Sequence, residues 1–109
     1  MENLYNIKIA TNASMSADVE SEVIDLSKTN GYCIYANFTG TPVGSIKLQV
    51  SIDAINYVDL INSSTAIAAA GDIMWEVTNA FYDKVKVVYT RTSGTGVLNV
   101  QINGKGDNE

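Results

Sequence analysis

The sequence predicts an all-β domain: a single two-sheet antiparallel β-sandwich, jelly-roll-like, of about seven to eight short strands with an N-terminal arm. Three observations predict it. Apolar residues recur with a period of two along most of the chain. Clusters of Gly, Asn, Asp, Ser and Thr punctuate these runs. No stretch carries the pattern of a long amphipathic helix. Strand order is invisible in one sequence, so an immunoglobulin-like order satisfies the same alternation.

Taken in order, Tyr5, Ile7 and Ile9 alternate as a first edge strand, within an arm or edge segment over residues 1–20. The Ser- and Asp-bearing stretch from Ser14 to Val23 suits a helical turn or an irregular arm. The sandwich domain is expected over residues 21–103. It begins with a short strand carrying Glu22, Ile24 and Leu26. After Thr29-Asn30-Gly31, the residues Tyr32, Ile34, Ala36 and Phe38 alternate with Cys33, Tyr35, Asn37 and Thr39. The loop Gly40-Thr41-Pro42-Val43-Gly44 takes the single proline, where it costs no ladder hydrogen bond.

The cleanest alternation follows: Ile46, Leu48, Val50 and Ile52 on one face, Ser45, Lys47, Gln49 and Ser51 on the other. A turn at Asp53-Ala54-Ile55-Asn56 leads to a short strand from Asn56 to Leu60, and Thr65 to Ala69 is extended or one helical turn. Ile73, Trp75 and Val77 share a face, which assigns Trp75 to the core. Val85, Val87 and Tyr89 share another, as do Leu98, Val100 and Ile102. The last two runs, joined by Thr92-Ser93-Gly94-Thr95, are expected to pair as a hairpin, with Gly94 supplying positive φ. Residues 104–109 are polar and are expected to fray as a flexible tail.

Composition excludes several functions. The chain of 109 residues contains no histidine and one cysteine, Cys33. An intramolecular disulfide is therefore impossible, and a Ser-His-Asp triad, a Cys-His pair and a His-containing zinc site are ruled out. Cys33 is read as a small buried hydrophobe. Twelve acidic residues against seven basic ones give a net charge of −5, whereas phosphate contacts need clustered Lys and Arg. Lys84 and Lys86 share one strand face and are read as solvated, so no nucleic-acid partner is expected. No run approaches the about 18 apolar residues of a membrane helix, and no secretory signal is expected from Met1 to Asn6. Without one, the Asn-Xaa-Ser/Thr triplets at Asn12, Asn37 and Asn62 carry no weight. The acidic group Asp18, Glu20, Glu22 and Asp25 lacks the spacing of a calcium loop and reads as a solvated, edge-protecting face. Neither a carboxylate pair nor a phosphate-cradling loop emerges. The sequence thus predicts no enzyme, catalytic residue, cofactor or metal.

What remains is surface chemistry. Met74, Val88 and Val97 stand apolar on otherwise polar strand faces and are the candidates for self-association. Tyr35 and Tyr57 are the candidates for a partner surface, with Tyr82 a further loop-end aromatic.

Two segments carry a resemblance. Leu48-Gln49-Val50-Ser51-Ile52-Asp53-Ala54-Ile55-Asn56-Tyr57-Val58-Asp59-Leu60 resembles the strand–turn–strand signature Q-x-S-x-D-G-x-N-W-x-D-L. That signature is common in discoidin-like and carbohydrate-module-like β-sandwiches and in small phage virion proteins. Here Ala54 and Ile55 replace the Gly-containing turn, and Tyr57 replaces the Trp. The segment from Trp75 to Gly106, with Tyr82-Asp83-Lys84-Val85-Lys86-Val87-Val88-Tyr89-Thr90 leading through Ser93-Gly94-Thr95-Gly96, is similar to the closing part of small phage structural proteins. The resemblance implies a non-enzymatic virion component of a tailed bacteriophage, decorating the capsid or forming part of a head fibre. It implies assembly in the host cytoplasm, with further copies of the chain and the major capsid protein or another virion protein as partners. The alternative it implies is a carbohydrate- or host-surface-binding module of a tail or baseplate, with a glycan as partner.

Overall fold

A computed structural model describes residues 2–26, 31–78 and 82–106. Ten strands follow one another: β1 (Glu2–Ser14), β2 (Val19–Glu20), β3 (Ile24–Asp25), β4 (Gly31–Gly40), β5 (Val43–Ser51), β6 (Val58–Asp59), β7 (Thr65–Ile67), β8 (Gly71–Thr78), β9 (Lys84–Ser93) and β10 (Gly96–Gly106). Four of them form one sheet in the order β1-β10-β4-β8. Six form the other, in the order β2-β9-β5-β6 with β3 also on β9 and β7 also on β5. Every pairing among the described residues is antiparallel.

The pairings nest: β1 with β10, β2 and β3 with β9, β4 with β8, and β5 with β6 and β7. The chain is therefore one long antiparallel ribbon. Rolling that ribbon creates the further ladders β10–β4 and β9–β5 and splits it into two sheets. This is a jelly-roll order, which decides between the two topologies that the alternation allowed.

The core lies where the apolar parities of four long strands meet. Ile34, Ala36 and Phe38 of β4, Ile46, Leu48 and Val50 of β5, Val85, Val87 and Tyr89 of β9, and Leu98, Val100 and Ile102 of β10 are all buried. Burying an aliphatic side chain of this size contributes about 1.5–3 kcal/mol. Trp75 packs half-buried against this cluster with Ile73 and Val77, and its indole N–H donates to the Ser63 carbonyl at 3.0 Å. Tyr82 also packs against the core: its hydroxyl meets that of buried Tyr32 at 2.7 Å, with the two rings edge to face.

Several expectations are corrected. β9 and β10 do not form a hairpin, because they belong to different sheets. The short link between them is a corner. A second corner, Thr41-Pro42, carries the chain from β4 to β5, and the two corners lie against each other, with the Thr41 amide donating to the Thr95 carbonyl at 2.8 Å. Gly40 and Gly94 both take positive φ here, and Pro42 is fully buried. Alternation along two consecutive strands is identical whether they pair or cross between sheets, so the parity was right and the partner was not.

Cys33 is half-buried on the outer face of β4 and is not in the core; its parity opposes that of Ile34. Ile52 is 74% exposed, because β5 ends at Ser51 and the chain turns there. The stretch after Ser14 is a turn leading to β2, without a helix. Gly104 to Gly106 belong to β10, paired with β1; residues 107–109 lie outside the described residues.

At the edge of the six-stranded sheet, Ser21 bridges the break between β2 and β3. Its hydroxyl accepts the Val87 amide at 2.8 Å and donates to the Glu22 carbonyl at 3.0 Å. The acidic edge meets basic partners on β9: Glu20 with Lys86 at 3.2 Å and Asp25 with Lys84 at 3.3 Å. Asp18 accepts the Arg91 amide at 2.8 Å.

Candidate functional site

Three of the five residues singled out in the sequence, Tyr35, Met74 and Val97, share one sheet face, and two do not. Met74 and Val97 lie on the outer face of the four-stranded sheet, in β8 and β10, whereas Val88 lies on the outer face of the other sheet, between Glu20 and Lys47. Met74 is 60% exposed, while Val88 and Val97 are half-buried. Tyr35 belongs to the first face. Tyr57 stands on the other side of the molecule, with the Lys86 ammonium 4.5 Å from its ring centroid.

Two surfaces stand out instead. The first is built by the resembling segment itself. Gln49 of β5 donates to Asp59 of β6 at 3.0 Å, and Lys47 pairs with the same carboxylate at 3.0 Å. These donors, Gln49 foremost, hold the Asp59 carboxyl below its ordinary range. In the loop between the strands, Asp53 accepts the backbone amides of Asn56 and Ile55 at 2.8 and 2.9 Å, the Asn56 side-chain amide at 2.9 Å and the Ser51 hydroxyl at 3.0 Å. Ser51 in turn accepts the Ala54 amide at 2.9 Å. Ala54 adopts φ +63°, the conformation that a glycine at this position would take without strain. The Gln, Ser, Asp and Asn of the signature are thus a frame. What the frame displays is aliphatic: Ile52, Ile55, Val58 and Ile61 are 74, 79, 63 and 82% exposed. They follow one another along the β5–β6 hairpin, Ile52 and Ile55 in its loop, Val58 in β6 and Ile61 in the turn after it, and are termed the aliphatic ridge.

The second surface is the outer face of the four-stranded sheet. Three rows cross it. Asn6, Asn103, Cys33 and Glu76 form one; Lys8, Gln101, Tyr35 and Met74 the next; Asn99, Asn37 and Asp72 the third. Two adjoining open depressions of about 420 and 360 Å³ lie here, and Tyr35 and Gln101 line both. The amides are held in place: Asn6 bonds to both Gln101 and Asn103, and Asn99 accepts the backbone amide of Asn12, where β1 bulges. The Tyr35 hydroxyl donates to Asp72 at 3.2 Å. Burial, and then the Glu76 carboxylate, push the Cys33 thiol up, away from a reactive thiolate.

No protein-family model matches the sequence, and no curated protein matches it. The fold does have solved counterparts. The SPBc2 prophage-derived protein YomS is similar over 91% of this chain and 93% of its own, with a TM-score of 0.61 at 12% identity. The PBSX exported protein XepA is similar over 99% of this chain, with a TM-score of 0.61 at 8% identity; the match spans 37% of XepA. The C-terminal CBM6 of LamC, a marine laminarinase from Zobellia galactanivorans, is similar over 90% of this chain and 98% of its own, with a TM-score of 0.55 at 9% identity. At these identities the likeness is one of fold.

Sequence reasoning named Tyr35, Met74 and Val97 of the second surface but not their neighbours, and it missed the ridge. Gln101 and Tyr35 were each assigned an outward parity, but only the β10–β4 ladder places them opposite one another. The ridge was signalled by Ser51 and Asp53, a serine and an aspartate two residues apart that bond the backbone and end the strand.

Proposed function

We propose that this chain is a non-enzymatic structural component of a bacteriophage virion, decorating the capsid or forming part of a head fibre, and that copies join through the aliphatic ridge. The observation that carries this reading is the exposure of Ile52 and Ile55 on a loop braced by Asp53, with Val58 and Ile61 exposed on the strand and turn that follow. Several large apolar side chains left in water on one hairpin mark an interaction surface, and a pre-ordered loop loses little entropy when it docks. The end-to-end fold likeness to a prophage-derived protein supports the phage context. Assembly takes place in the host cytoplasm, and the major capsid protein or a neighbouring virion protein is the further partner.

Light scattering coupled to size exclusion tests the reading. The wild-type chain is expected to run as a closed oligomer. The double variant Ile55→Asp/Ile61→Asp is expected to run as a folded monomer, with the wild-type circular dichroism spectrum and a melting temperature that no longer depends on protein concentration. A wild-type monomer at high concentration removes the self-association.

A second reading, a carbohydrate- or host-surface-binding module of a tail or baseplate, is favoured by the amide-lined depressions on the four-stranded sheet and by the fold likeness to a carbohydrate-binding module.

A further inference from the structure

We infer that the outer face of the four-stranded sheet is a binding site for a neutral oligosaccharide, centred on Tyr35 and Gln101. The inference rests on the second reading above and not on the ridge, which lies on the other sheet.

The argument begins with side-chain chemistry. Asn37, Asn99, Gln101 and Asn103 each present both a donor and an acceptor. A sugar hydroxyl is likewise both, so an amide row can match hydroxyls whichever way they point. A carboxylate ligand would find Lys8 at one edge of the face but Asp72 and Glu76 at the other, with an uncharged centre between them. The chain's net charge of −5 opposes an anion further. Tyr35 supplies the apolar element: an aromatic ring at the centre of the face, on which the C–H side of a pyranose can lie. Its hydroxyl is anchored on Asp72 at 3.2 Å, so the ring is fixed before a ligand arrives.

Size agrees. Three inter-strand spacings span about 14 Å and four residues along a strand about 13 Å, which accommodates a short oligosaccharide. The depressions, at about 420 and 360 Å³, fall in the range of small-ligand sites. The bonds of Asn6 to Gln101 and Asn103, and of Asn99 to the Asn12 amide, hold the amides in a pre-arranged pattern, which lowers the entropy lost on binding.

The test uses the full isotope-labelled chain titrated with neutral hexasaccharides of glucose, xylose, mannose and N-acetylglucosamine, with hexagalacturonate as the anionic comparison. At least one neutral probe is expected to shift the side-chain amide signals of Asn37, Asn99 and Gln101, and hexagalacturonate is not. Tyr35→Ala and Gln101→Ala are each expected to weaken that binding about tenfold or more, equivalent to about 1.4 kcal/mol, while Val23→Ala, at an exposed position outside both surfaces, leaves it unchanged. Bound sugar is also expected to slow alkylation of Cys33, which lines one depression. The inference is overturned if no neutral probe shifts these signals, if the shifts centre elsewhere, or if hexagalacturonate binds as well as the neutral sugars.

Discussion

A Cβ placed on Gly94 would stand 1.9 Å from the carbonyl oxygen of Thr41. The two residues belong to the two corners that carry the chain between sheets, and their approach brings those corners together. Gly94 also takes φ +78°. Gly94→Ala therefore meets both a left-handed backbone and a backbone clash, costing about 2–5 kcal/mol. Urea denaturation is the measurement; a loss below about 0.5 kcal/mol, the ordinary scatter of surface substitutions, would contradict the packed corner.

Ala54 shows the opposite case. It holds φ +63° in an exposed loop with its amide satisfied by Ser51. Ala54→Gly relieves an αL penalty of about 1–2 kcal/mol but adds unfolded-state entropy worth about 0.4–1 kcal/mol. The net expectation is a stabilisation of up to about 1.6 kcal/mol, read as a melting temperature raised by a few degrees with no change in oligomeric state.

Ser21 stands in for a missing rung of the β2/β3–β9 ladder. Removing its hydroxyl in Ser21→Ala orphans the Val87 amide inside the sheet, at a cost of about 1–3 kcal/mol. Amide exchange at Val87 should accelerate more than at Val85. Equal rates at both would show that the hydroxyl is dispensable.

The Asp53 carboxyl is held far below the ordinary carboxylate range, first by the Asn56 and Ile55 amides and then by the Asn56 and Ser51 side chains. The folded state therefore binds its proton more weakly than the unfolded chain. Its stabilising contribution is present above the unfolded carboxyl pKa of about 3.9 and is lost as pH falls through the lower folded value. Melting temperature followed from pH 7 down to pH 2.5 should drop in the acid range for the wild type. The drop should be shallower for Asp53→Ala, and parallel curves would remove Asp53 as a source of the acid sensitivity.

Much of this fold was legible in side-chain parity. Ile34, Leu48, Val87 and Val100 all face inward as their period of two required. Pairing was less legible, because period two is blind to partners: the same Gly94 that suits a hairpin turn also suits a corner, and the deciding contact, Thr41, lies 53 positions away in sequence. The surfaces followed the same rule. Tyr35 was recognised as outward-facing from β4 alone, but its neighbours Gln101 and Met74 come from β10 and β8. Ile52 misled because its parity continued that of Val50 past the point where Ser51 and Asp53 turn the chain.

The nesting of β1 on β10 places Glu2 directly across from Gly106, a Cα separation of about 5 Å in an antiparallel ladder. A short linker from Gly106 back to Glu2 would close residues 2–106 into a ring. That ring can be reopened at Asn62, in the turn between β6 and β7 where the parent ribbon doubles back on itself. Such a circular permutant keeps every ladder of the jelly roll and moves its new ends to the hairpin that carries the aliphatic ridge. A reporter or second binding domain attached there would stand beside the ridge, while one attached at Glu2 or Gly106 would emerge from the end of the amide-lined sheet.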